Sequence, residues 1–200
     1  MNVKTALKLG ALALAGALLP TAALAHTGVG DTSGFAHGFW HPIGGLDHVL
    51  AMVAVGAFAA RLGGRALWIV PSAFVAMMAV GGFIGMEGIP LPFVETGIAL
   101  SVVVLGLAVA LRWKLPVAAA GALVGLFAVF HGHAHGGEMP VDASGLSYAL
   151  GFMLATALLH VAGIGLGLAI GKIGARSKLV LQASGGATAL AGVALLGGYL

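Results

Sequence analysis

Three imidazoles and one carboxylate fall within twelve residues, in the stretch His37-Gly-Phe-Trp-His41-Pro-Ile-Gly-Gly-Leu-Asp47-His48. Imidazole beside carboxylate is donor chemistry for borderline divalent metals such as Ni, Co, Zn or Cu(II). It also suits a proton relay, and a polar clamp between helices is the plainest alternative. A second group lies at Phe130-His131-Gly-His133-Ala-His135-Gly-Gly-Glu138, with three imidazoles and a carboxylate in eight residues. On a helix, His131, His135 and Glu138 share a face at i, i+4 and i+7, and His133 points elsewhere. A histidine-rich tag that merely gathers metal outside the membrane is the milder reading of this group. The glycines here favour unwinding of the helix.

These groups sit among apolar runs, where ionisable side chains are expensive and usually functional. The chain of 200 residues is 60% hydrophobic and only 8% charged, against about 25% charged in ordinary soluble domains. Its 34 glycines follow no collagen period; they fit close helix packing in an integral membrane protein. No Lys/Arg stripe with interleaved aromatics supports nucleic-acid binding. The absence of Cys removes disulfides, thiolate metal sites and cysteine nucleophiles together.

Residues 1–25 read as a secretory signal peptide. Lys4 and Lys8 form the basic start, Leu9 to Leu19 the apolar core, and Ala23-Leu24-Ala25 the cleavage site. Cleavage would leave His26 as the new N-terminus, whose amine and imidazole could chelate a divalent ion. An uncleaved first transmembrane helix is the alternative.

Six apolar segments follow, at 40–60, 66–86, 93–111, 115–132, 146–171 and 179–200. Each approaches the ~20 residues that cross ~30 Å of hydrocarbon. None alternates as barrel strands do. Arg61, Arg65, Arg112, Lys114, Lys172, Arg176 and Lys178 are the seven basic residues beyond the signal, and all fall in alternate connections. The other connections carry Glu87, Glu95, Glu138 and Asp142. The positive-inside rule places the basic loops in the cytoplasm and both mature termini outside. The expectation is therefore an all-α polytopic protein of a bacterial inner membrane, with residues 26–200 as one six-helix transporter domain.

Within that frame, Pro42 suits the first turn of the opening span, so a regular helix is expected from about Pro42, with His37 on a separate external piece. Counting back from Arg61 at ~1.5 Å per residue puts His48 about 20 Å from the cytoplasmic boundary. Asp47 and His48 then form the intramembrane core, with His41 at its lip. Glu95 opens the third span, either as a charge suited to a helix N-terminus or as part of the entrance. Met77 and Met78 read as packing residues. His160 shares a face with Thr156, Gly163, Gly167 and Gly171. It is either a deeper ligand or a hydrogen-bonded core histidine.

His41-Pro-x-x-Gly-x-Asp47-His48 resembles the signature of the HupE/UreJ family of nickel and cobalt permeases. Phe130-His131-Gly-x-Ala-His135-Gly-x-Glu138 resembles that family's second motif. Leu91-Pro-x-Val-Glu95, then Ile98-Ala-x-Ser101-Val and Leu105-Gly, is similar to its third-span pattern. A separate nickel/cobalt transporter family spaces His and Asp-His by four residues; five intervene here. The resemblance implies secondary uptake of Ni²⁺ or Co²⁺, with His41, Asp47, His48, His131, His135 and Glu138 as the residues carried over. His26, His37, Glu95, His133 and His160 are secondary candidates. No fixed cofactor is expected beyond the transported ion. No G-x-x-x-x-G-K-[ST] phosphate loop is present in the chain, so no ATP site is expected. The contrasting class is an intramembrane zinc-dependent hydrolase, with Asp47 or Glu138 as general base.

Overall fold

Apolar runs of this length bury their backbone polar groups only by folding as helices, and the computed structural model of the chain is helical. It describes residues 34–139 and 145–200, and no strand occurs among them. Residues 1–25, read above as a signal peptide, and His26 and Asp142 lie outside the described residues. Helix α1 spans Gly34–Gly44, α2 Leu46–Leu62, α3 Ala66–Met86 and α4 Val94–Ala110. Helix α5 spans Val117–Gly137, α6 Gly145–Gly171 and α7 Ser177–Leu196, the last preceded by a short 3-10 turn at Gly174–Arg176.

Four helical stretches are long and apolar enough to cross a membrane: α3, α5, α6, and α7 with its leading turn. The pair α1 and α2 passes the same test together, although it is bent by 81°. Helix α4 has 17 residues, about 25 Å at the usual rise. Large apolar side chains such as Trp68, Leu126 and Leu190 face outward, as expected of helices that meet lipid.

The bend corrects one expectation. Helix α1 runs through Pro42, and the break falls at Gly45, which is extended at φ −90° and ψ 116°. His37 and His41 therefore share one helix, and His48 stands on the next. A proline near a helix end is tolerated, since only one hydrogen bond is lost. The adjacent glycines carry the change of direction. A second correction concerns the histidine-rich end of the fourth apolar segment. Helix α5 does not unwind there but continues to Gly137.

Helix pairs approach through glycine. A Cβ added at Gly81 would run into the carbonyl of Val129, and one at Gly132 into the carbonyl of Met78, so α3 and α5 touch backbone to backbone. Gly56 and Gly163 do the same for α2 and α6, and Gly38 and Gly151 for α1 and α6. Such small-residue seams substitute for the hydrophobic effect, which is absent between helices in lipid. They bring the histidine-bearing faces of α1, α2 and α5 together around α6.

Candidate metal site

Helix α1 presents His37 and His41 one turn apart. Helix α5 presents His131 and His135 in the same relation and ends at Glu138. The first turn of α2 supplies His48. At the outer end of this assembly, His41 Nε2 lies 3.6 Å from Glu138 Oε2, and His135 Nδ1 lies 3.9 Å from the same oxygen. One donor atom from each of the three falls within 4.8 Å of the others. Two imidazoles and a carboxylate at that separation form a group that an ion could bridge.

The group continues inward as a chain of rings. The His41 and His135 centroids are 4.9 Å apart, His135 and His48 5.3 Å, and His48 and His131 5.2 Å. Phe152 of α6 packs against His135 at 4.5 Å and His48 at 5.1 Å, closing one wall. Exposure falls along the chain. The side chain of Glu138 is 62% exposed, His41 30% and His135 17%. His48 and His131 are fully buried. His131, four residues before His135 on the helix, sits one turn deeper.

Hydrogen bonds fix which nitrogen each buried ring offers. The Ser101 hydroxyl donates to the carbonyl of Ile98 at 2.6 Å, and its oxygen lies 2.9 Å from His131 Nε2. With its proton already committed, Ser101 accepts, so His131 Nε2 carries the hydrogen. In the same way the Thr156 hydroxyl donates to the Met78 sulfur, and its oxygen lies 3.1 Å from His48 Nε2. In each ring Nδ1 is then the unprotonated nitrogen. The Nδ1 atoms of His48, His131 and His135 are buried and have no hydrogen-bond partner. A buried polar atom without a partner calls for an explanation, and a lone pair held ready for an ion supplies one. An acceptor behind the ring that holds the hydrogen on the far nitrogen fixes the tautomer and orientation of a metal-ligating histidine, and the Ser101 and Thr156 oxygens are placed to do so.

Other candidates fall elsewhere. Asp47 does not join the His41, His135 and Glu138 group. Its Oδ1 accepts from the backbone N–H of His48 at 2.7 Å, and its side chain lines a separate cavity of about 350 Å³ with Glu95 and the chain end at Leu200. Successive helical residues point about 100° apart, so adjacency in sequence put the Asp47 carboxylate and the His48 ring on different faces of α2. His133 turns away, with Nε2 2.8 Å from the carbonyl of Ile89. His37 stacks edge-on to Tyr148 at 5.6 Å, behind His41. His160 is buried beyond Phe74, whose ring centroid is 5.2 Å away.

The supporting residues were the part sequence reasoning missed. Ser101 and Thr156 are hydroxyls in otherwise apolar helices, which is a usable signal only once a partner is known. Phe74, Phe152 and Tyr148 look like ordinary core residues until the histidines are placed against them. A cavity of about 140 Å³ opens beside His135 between α3, α5 and α6, and Met78, Met86, Met139 and Met153 line it.

Comparison with known proteins gives the same direction. The HupE/UreJ family, described as "HupE / UreJ protein", matches residues 12–195. The chain belongs to the HupE/UreJ family. Among the curated relatives of this HupE/UreJ protein is Protein HupE of Rhizobium leguminosarum bv. viciae. It is 54% identical over 186 residues, which cover 92% of this chain and 95% of the relative. No solved structure matches. Both HupE/UreJ motifs noted in the sequence map onto the ring chain, with Asp47 set behind it.

Proposed function

We propose that this chain carries a divalent transition metal, nickel or cobalt, across the bacterial cytoplasmic membrane by secondary, ATP-independent uptake. The observation that carries this reading is the His41, His135 and Glu138 group, continued inward by the buried, unpartnered Nδ1 atoms of His48 and His131. Membership of the HupE/UreJ family supports it.

The proposed topology has six crossings after a cleaved signal peptide. The bent pair α1 and α2 makes the first, and α4 the third. A 17-residue helix crosses where the bilayer thins locally or where flanking groups reach out to the interface. All basic connections then lie inside and both mature termini outside.

The proposed route starts at Glu138. Its exposed carboxylate draws the hydrated cation, and His41 and His135 replace part of the water shell. His135 touches both the outer group and His48, so it hands the ion inward. His48 and His131 then bind through Nδ1, each held in orientation by Thr156 or Ser101. Asp47 acts from the other face of α2, as a fixed negative charge behind the His48 ring. Neutral imidazoles bind a borderline divalent ion without the charge that would trap it, which suits a site that must also release. The zinc hydrolase reading gains no comparable support, since the family relationship points to transport.

Replacing His48 by alanine tests the reading. The variant should reach the membrane at normal level and lose accumulation of radioactive nickel in cells. Normal accumulation in that variant would remove the assignment.

A further inference from the structure

His160 is the one fully buried histidine for which the route described above has no use. It is 1% exposed, and neither Nδ1 nor Nε2 has a hydrogen-bond partner. The nearest hydroxyl along its own helix, Thr156, is already committed to His48 and Met78. An imidazole with both nitrogens unpaired is an expensive group to bury unless something docks on it. Its position is specific. Four residues beyond Thr156 on α6, it lies about 6 Å deeper than the hydroxyl that holds His48. The Phe74 ring packs against both it and the upper rings: its centroid is 5.7 Å from His131 and 5.2 Å from His160.

His160 also borders an open, mostly apolar groove of about 400 Å³ between α3 and α6, whose rim includes the outward-facing Trp68 and Val161 together with Leu67, Pro71 and Ser72. Pro71 has no N–H to return to the carbonyl four residues earlier. The Leu67 carbonyl therefore lacks its usual i+4 partner. This end of α3 begins directly after Arg65, on the side of the basic loops. His160 thus stands at the inward end of the ring chain, buried and with both nitrogens unpartnered.

We infer that His160 is a second, inner ligand for the transported divalent ion, reached past the Phe74 ring after the ion leaves His48 and His131. The inference rests on the uptake reading and adds a station to it. The upper group loads from outside; His160 receives the ion before release towards the basic loops. Phe74 keeps the two stations from joining into an open pore.

The chain has no cysteine, which permits a direct test in the full-length protein reconstituted into lipid nanodiscs. With His160→Cys, added Co²⁺ should produce a thiolate-to-cobalt charge-transfer band, and excess Ni²⁺ should abolish it. With His160→Gln, the Co²⁺ ligand-field absorption of the upper group should persist, while nickel uptake in cells falls by about tenfold or more at unchanged membrane level. A His160→Cys protein that shows upper-group Co²⁺ absorption and no charge-transfer band overturns the inner station. Uptake by His160→Gln at the wild-type rate does the same. Failure of the unaltered protein to bind Co²⁺ or take up nickel is a different result, because it removes the uptake reading itself and the inner station with it.

Discussion

At the residue scale, the site depends on tautomers as much as on ligands. His48 and His131 each present Nδ1 because a hydroxyl behind the ring holds the hydrogen on Nε2. Removing that acceptor should weaken binding without touching a ligand. Thr156→Val and Ser101→Ala are therefore expected to lower nickel affinity by roughly 10–100-fold, measured by equilibrium dialysis on the purified protein. Affinity unchanged in both variants would mean that the hydroxyls only fill space. The histidines themselves were legible in sequence, because imidazoles at helical spacing in apolar runs are conspicuous. Their partners were not, because a single Ser or Thr in a membrane helix has many unremarkable uses. Asp47 shows how little adjacency in sequence says about facing. It is beside His48 in the chain, but the helical rotation between neighbours turns its carboxylate towards a different cavity, which Glu95 also lines.

At the element scale, glycine seams decide whether the ring chain exists at all. Gly81 meets the backbone of Val129 across the α3–α5 seam, whereas a Cβ at Gly137 would meet nothing within 4 Å. Gly81→Ala should therefore force the helices apart, at a cost of about 1–3 kcal/mol. Gly137→Ala should be neutral, or stabilising by about 0.5–1 kcal/mol, because it only removes backbone freedom. Thermal unfolding in detergent compares the two, and equal melting temperatures would deny the seam its role. The bend between α1 and α2 belongs to this scale as well. Proline was the visible breaker in the sequence, and the actual break came three residues later at Gly45. A proline in the last turn forfeits little, while an extended glycine redirects the whole chain.

At the scale of the whole molecule, two expectations follow from charge. Single cysteines introduced into the cysteine-free chain at Gly88 and at Lys114 should react with impermeant thiol reagents from opposite sides, Gly88 from outside and Lys114 from inside. Labelling of both from one side would remove the six-crossing arrangement. The second expectation is energetic. An inside-negative potential contributes ~2.3 kcal/mol per charge for each 100 mV, and so about 4.6 kcal/mol for a doubly charged ion. Collapsing the potential with valinomycin and potassium, with ATP held constant, should therefore suppress nickel accumulation strongly. Accumulation that persists without the potential and stops only when ATP is withdrawn would contradict secondary uptake.

The sequence by itself determined the helical class, the apolar runs and the spacing of the histidines and acidic residues within them. Each of these depends on composition and local spacing, which are properties of the chain before it folds. The tertiary structure alone decided which of those residues meet. It joined His41 of α1 to Glu138 at the end of α5, placed His48 against His131 in the core, and moved Asp47 to another wall. It also left His160 buried without a partner. The physical reason is that helices in lipid are brought together by close packing at glycine. The rotation and depth at which two such seams lock are set by the partner helix, and no local pattern in either helix specifies them.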